Sequence, residues 1–177
     1  MSKFSHEHHF YTNQNRVIEA MGSFFLIDQD GGVIDVTCAE ATKNDAGYLI
    51  SPTDASGWTV MWSSAYGLDE EIVAFISRHT ACDALYGHRN DSVDNWKWMQ
   101  LHNGVVVGEY HYVGQTWVRY PDRAPAEALT LSEAFRALGR TYHHLSFSGA
   151  LSDAYRELNL PREKFRLLRP CGFTVRT

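Results

Sequence analysis

The chain has little of what staples a small protein from outside. Its 177 residues hold three cysteines, Cys38, Cys82 and Cys171, an odd number with no C-x-x-C spacing, which fits neither a disulfide framework nor a zinc ribbon. Long apolar runs are missing as well. The longest near the N-terminus is Phe24-Phe25-Leu26-Ile27, far short of the ~20 residues a bilayer span needs, and Met1–Phe10 lacks the apolar core of a secretory signal. The expectation is a soluble cytoplasmic protein, in a reducing compartment and off the membrane. An excess of basic charge is also absent: 16 Lys and Arg against 21 Asp and Glu leave −5, which argues against a nucleic-acid coat. Gly-rich phosphate loops, a G-x-S-x-G elbow and an H-E-x-x-H helix do not occur, so several large enzyme classes lose their usual support. There is no internal repeat and no low-complexity tract.

What is present describes an ordinary globular chain, 44% apolar and 21% charged, of a length that suits one domain. Such a chain buries about 70% of the surface exposed by its unfolded form, enough to fold without a metal. Residues 1–22 read as a tail or short element, 23–112 as a strand-rich core, and 113–177 as a connection followed by a helical segment of the same domain. In the core, short period-2 segments are broken by Gly, Asn and Asp, as in antiparallel strands. Ser23–Asp28 and Val33–Cys38 would form a hairpin about Asp30-Gly31, with Phe25 opposite Val36 and Ile27 opposite Ile34. Tyr48–Ser51 and Trp58–Ser63 suggest a second pair. Asp69-Glu70-Glu71 opens a helix whose Ile72, Phe75, Ile76 and His79 share one face.

Cys82–His88, Trp96–His102 and Val105–Tyr112 then predict a meander with a type I′ turn at Asn103-Gly104. An unbroken register from that turn pairs residue 100 with 107, 98 with 109 and 96 with 111. It gathers Trp96, Trp98, Glu109 and His111 on the face opposite Met99, Leu101, Tyr110 and Tyr112. Val113–Leu129, with Pro121 and Pro125, reads as a connection. Thr130 and Glu133 make a capping box for a helix carrying Leu131, Ala134, Phe135 and Leu138 and stopped at Gly139. Ser148 would cap a second helix, and Pro161 would start a third. The fold class expected is α+β: an antiparallel sheet of about six or seven strands, one inserted helix, and a helical C-terminal segment packed on the sheet.

Charge is split along the chain. Residues 1–112 carry a net −9 and 113–177 a net +4, as docking of the C-terminal segment on the acidic sheet would produce. Several chemical motifs stand against plainer readings. His6-Glu7-His8-His9 has metal-ligand types but reads as a solvated tail, and adjacent His143 and His144 diverge too much to share an ion. Asp28-Gln29-Asp30-Gly31 with Asp35 has its glycine too early for a calcium loop. His79 and Cys82 are the weak candidates for a base and nucleophile, against a helix-face imidazole and a buried thiol. The polar loop His88–Asn95 suits a ligand or simply a turn. Arg162, Arg166 and Arg169, at helical spacing, would form an anion-binding stripe or a solvated face. No metal site and no cofactor is assigned.

The functional expectation is a non-catalytic binding or inhibitory protein, of the immunity or anti-defence kind, that meets a basic protein partner through Trp96, Trp98, Glu109 and His111. Nucleic acid is disfavoured, and self-association is compatible with the same face. Whether the chain is an enzyme is left open, leaning against. The alternative is a small-ligand protein or hydrolase-type enzyme using His, Cys and Asp groups around residues 79–111.

Overall fold

A computed structural model describes residues 4–25, 33–35, 47–64 and 68–169 of the chain. In chain order the elements are β1 (Phe4–Phe10), α1 (Gln14–Phe24), β2 (Val33–Asp35), β3 (Tyr48–Ile50), β4 (Thr59–Ser63), α2 (Asp69–Thr80) and β5 (Asp83–Asn90). They continue with β6 (Asn95–His102), β7 (Val105–Val113), β8 (Thr116–Arg119), α3 (Leu131–Ala137), α4 (Phe147–Glu157) and β9 (Arg166–Leu168). All the strands described join one antiparallel sheet in the order β2-β9-β3-β4-β1-β5-β6-β7-β8, so the protein is α+β. No helix among the described residues is long and apolar enough to cross a membrane.

The sheet is covered on both faces. Asn13 caps α1 by accepting from the Arg16 amide, and Val17, Ala20 and Met21 then fall on one buried stripe, against α2 and its Ile72, Val73 and Ile76. These helices share a core with Phe10, Met61, Tyr86, Met99 and Leu101 on one sheet face. On the other face α3 packs Leu131, Ala134 and Phe135 over Leu85 and Trp98, while α4 packs Ala150 and Ala154 over Leu49, Val60 and Trp62. The capping box at Thr130 and Glu133 forms as expected. The cap of α4 is Ser146, not Ser148: its hydroxyl accepts from the Gly149 amide.

Four segments depart from the sequence reading, each because pairing with distant chain overrides local pattern. Residues 4–10 are the central strand, not a tail. Ser23 and Phe24 end α1 instead of opening a hairpin, and β2 pairs with Arg166–Leu168. The rest of that expected hairpin, with Asp28, Asp30, Gly31, Cys38 and also Cys171, lies outside the described residues. The presumed connection after Val113 contains β8. The third helix is a single 3-10 turn, Arg162–Lys164, followed by β9, whose Leu167 and Leu168 each fill the core on one side of the sheet.

The meander register also shifts. His102 pairs with Val105 and Leu101 with Val106, but a bulge then sets Gln100 opposite Gly108, Trp98 opposite Tyr110 and Trp96 opposite Tyr112. One extra residue on β7 moves everything beyond it to the other face. The shift stacks Trp98 on Tyr110 at 4.6 Å and Trp96 on Tyr112 at 4.8 Å, and it places Glu109 2.9 Å from the Lys97 ammonium. Cross-strand aromatic pairs and a half-buried ion pair are what the unbroken register would forfeit.

Candidate functional site

Strand β1 reads Phe-Ser-His-Glu-His-His-Phe, and alternation along a strand sends Ser5, Glu7 and His9 toward α3 and α4, and His6 and His8 toward α2. Both sets are buried. Beside Glu7 in the sheet stands Gly87; a Cβ there would come within 2.4 Å of the Tyr142 ring. The glycine lets that ring lie on the strand, where its hydroxyl meets Ser5 Oγ at 2.7 Å. This pins the connection between α3 and α4 to the sheet and brings His143 onto Glu7.

Glu7 is fully buried and accepts four donors. His9 Nε2 and His143 Nδ1 donate to Oε1, each at 2.7 Å; Trp62 Nε1 donates to Oε2 at 3.3 Å, and the His143 amide reaches both oxygens at 3.0–3.1 Å. Burial alone would raise its pKa, but the hydrogen bonds from His143 and His9 outweigh that and hold it at about 2. The carboxylate is therefore ionised and can only accept. Arg140 Nε donates to His9 Nδ1 at 3.0 Å, and its Nη1 pairs with Asp54 Oδ2 at 2.7 Å. A guanidinium cannot accept, so His9 carries its proton on Nε2 and stays neutral; burial lowers its pKa to about 4.

Glu7, His9 and His143 each offer one ligand atom, all within 4.8 Å of one another, a spacing compatible with a metal. The donor set does not fit one. Metal on His9 Nε2 would drive the ring proton to Nδ1, against the N–H of Arg140, and would set a cation beside a guanidinium. The arrangement suits proton chemistry instead. Donation of Nδ1–H to Glu7 leaves the lone pair of a neutral His143 on Nε2, which makes no hydrogen bond with a described residue. His143 lines two clefts. One, of about 210 Å³, is bordered by Asp54, Arg140, Thr141 and Glu157; the other, of about 640 Å³, by His144, Ser146, Ser148 and Ser152.

His144 adopts a φ of +57°, in the left-handed region, and its ring diverges from that of His143. Its Nε2 lies 2.7 Å from Ser132 Oγ, the spacing of a serine nucleophile and its base. The residue at Nδ1 forbids that role. Where a triad has a carboxylate, Arg89 Nη1 donates at 2.8 Å, itself held in a two-pronged pair with Asp91. His144 thus keeps its proton on Nε2 and donates to Ser132. Burial first, and then the Arg89 charge, push its pKa down.

The residues singled out from sequence are dispersed. Trp96 and Trp98 face α3, with Trp98 only 9% exposed and donating to the Leu129 carbonyl, while Glu109 and His111 face α2 beside Lys97. The four therefore do not form one surface. His79 is exposed and stacks on Phe75, whereas the Cys82 thiol is buried against Thr80 and its pKa is raised by burial. No hydrogen bond joins those two groups among the described residues. Arg162 lies over Tyr155, Arg166 bonds the carbonyls of Glu163 and Phe165, and the strand geometry of β9 breaks the helical stripe with Arg169. The polar loop shrinks to a turn at residues 91–94, because β5 runs to Asn90. Sequence reasoning weighed Glu7, His9 and His143 only as metal-ligand types and set them aside, and it missed Arg140; the Phe4-to-Phe10 alternation, read as a strand, was the signal for Glu7 and His9. Comparison of the chain with protein-family models, with curated proteins and with solved structures returns no match.

Proposed function

We propose that the protein is an enzyme that carries out acid–base chemistry on a small polar substrate, with His143 as the base and Glu7 as the residue that positions it. The observation that carries this reading is the 2.7 Å bond from His143 Nδ1 to a buried, ionised Glu7, in a residue that lines both clefts. A carboxylate that fixes the tautomer of an imidazole also stabilises the imidazolium formed when it takes a proton. Arg140, Thr141 and Glu157 along one cleft, and Ser146, Ser148 and Ser152 along the other, supply polar groups to orient such a substrate. The reading takes the protein as cytoplasmic, where a buried thiol such as Cys82 stays reduced.

The test is turnover of a panel of small esters, amides and phosphate esters by wild type and His143→Gln, with melting shifts recorded on the same panel. The expected result is activity that falls at least ~100-fold in the variant while its fold is kept. Undiminished turnover by His143→Gln, or neither turnover nor a melting shift with any compound, would refute the proposal.

A second reading, engagement of a protein partner, has its own support. β8 covers only Tyr110–Val113 of β7, and the preceding Val105 and Val107 are 63% and 59% exposed on an apolar strand edge. An extended segment of a partner could add there as a further strand.

A further inference from the structure

A further cleft, of about 260 Å³, is not bordered by His143; Arg89, Trp96, Thr130, Leu131, Ser132 and His144 line it. Arg89 on β5 and Trp96 on β6 are cross-strand partners, Leu131 and Ser132 open α3, and His144 comes from the connection to α4. Trp96 and Leu131 give the cleft an apolar wall. The indole is held in place, stacked on Tyr112 at 4.8 Å and donating from Nε1 to Asp91 Oδ1 at 3.0 Å.

The polar groups of this cleft have donors to offer. The Arg89 guanidinium accepts nothing; it spends Nε and Nη2 on Asp91 and Nη1 on His144, which leaves one N–H on each terminal nitrogen without a partner among the described residues. His144 has its accepting nitrogen taken by Arg89, and it gives its Nε2 proton to Ser132 Oγ at 2.7 Å. That hydroxyl makes no other hydrogen bond among the described residues, so its own proton remains to be given. Thr130 Oγ1 already accepts from the Glu133 amide. No carboxylate is among the lining residues. The arginine at the place of a triad carboxylate thus turns a serine–imidazole pair into a hydrogen-bond donor.

We propose that this cleft binds a small organic carboxylate with a flat apolar body, an arenecarboxylate being the simplest case. Ser132 donates to the carboxylate, Arg89 supplies the cationic group, and Trp96 and Leu131 pack against the ring. An ionised carboxylate only accepts, so it matches a lining that donates, whereas an ammonium would set donors against donors. The volume lies just below the ~300–1,000 Å³ of ordinary ligand pockets, which suits one ring and one acidic group. The inference stands apart from the acid–base reading, since neither Ser132 nor Arg89 is the base or its positioning residue.

The experiment titrates the isotopically labelled full chain with sodium benzoate, benzamide and benzylamine. It follows the Trp96 indole N–H by NMR, assigned by its absence in Trp96→Phe. The expected result is a saturable shift with benzoate at a dissociation constant of about 1 mM or tighter, weaker binding of benzamide, and no saturable shift with benzylamine. Ser132→Ala should bind benzoate at least ~10-fold more weakly, as the loss of one hydrogen bond to a charged group requires. His143→Gln should bind it as wild type does, which separates this cleft from the acid–base site. The ligand comparison on wild type needs no variant, so it decides even if Ser132→Ala folds poorly. No saturable shift with benzoate, benzamide or benzylamine bound as tightly as benzoate, full affinity in a folded Ser132→Ala, or loss of binding in His143→Gln would overturn the proposal.

Discussion

Replacing Glu7 by glutamine changes one oxygen to NH₂ at nearly constant volume, in a place where every neighbour is a donor. If the amide oxygen takes the Oε1 position, the NH₂ confronts Trp62 Nε1–H and the His143 amide. If it takes the Oε2 position, the NH₂ confronts His9 and His143. His143 can then move its proton to Nε2 and accept, but His9 cannot, because Arg140 already occupies its Nδ1. One or two buried N–H groups are orphaned either way, at about 1–3 kcal/mol each, and the charge that strengthened the remaining bonds is gone. A loss of about 3–5 kcal/mol follows, as when a buried pair is broken, against a total stability of about 5–15 kcal/mol. At roughly 2–4 °C per kcal/mol for a chain of this size, the melting point should fall by about 10 °C. Urea unfolding at neutral pH measures the loss, and nitrogen NMR of the imidazoles shows whether His143 has moved its proton. A variant within about 1 kcal/mol of wild type, with His143 still protonated on Nδ1, would refute the donor accounting.

Other perturbations read different parts of the fold. Gly87→Ala should cost about 1–3 kcal/mol in thermal or urea unfolding, because its methyl meets both the Tyr142 ring and the Glu7 carbonyl; a neutral substitution would mean that the ring is not seated there. The stability of wild type should decline as pH falls below about 6.5, since the unfolded chain takes up a proton at His144 that the folded state, with its lowered pKa, refuses until lower pH. His144→Gln should flatten that slope in a pH series of denaturation curves, and parallel slopes would count against it. Val106→Lys, on the open edge of β7, should leave the melting point nearly unchanged and abolish any strand-addition complex in sedimentation; a complex that survives would place the contact elsewhere.

Much of the frame was legible locally. The capping box at Thr130 and Glu133, the acidic first turn at Asp69 and the Asn103-Gly104 turn rest on interactions a few residues apart, and the β3–β4 pair on two strands that follow one another in the chain. The candidate site was not. Glu7 and His143 are 136 residues apart, and nothing near either announces the other. A strand of polar residues on both faces, such as β1, resembles a tail until something covers both faces. The charge split is resolved in part: Arg140 reaches Asp54, but Arg119 pairs with Asp122 and Arg156 with Asp153 within the C-terminal segment.

The sequence by itself determined the α+β class, the Thr130 capping box and the Asn103-Gly104 turn, because these depend on side-chain periodicity and on backbone preferences within a few residues. Only the tertiary structure decided that β1 is the middle of the sheet, that the β7 bulge parts the tryptophans from Glu109 and His111, and which nitrogen of His9, His143 and His144 carries the proton. Burial, register and tautomer are set by the groups that arrive from distant chain, and a linear pattern does not contain their distances.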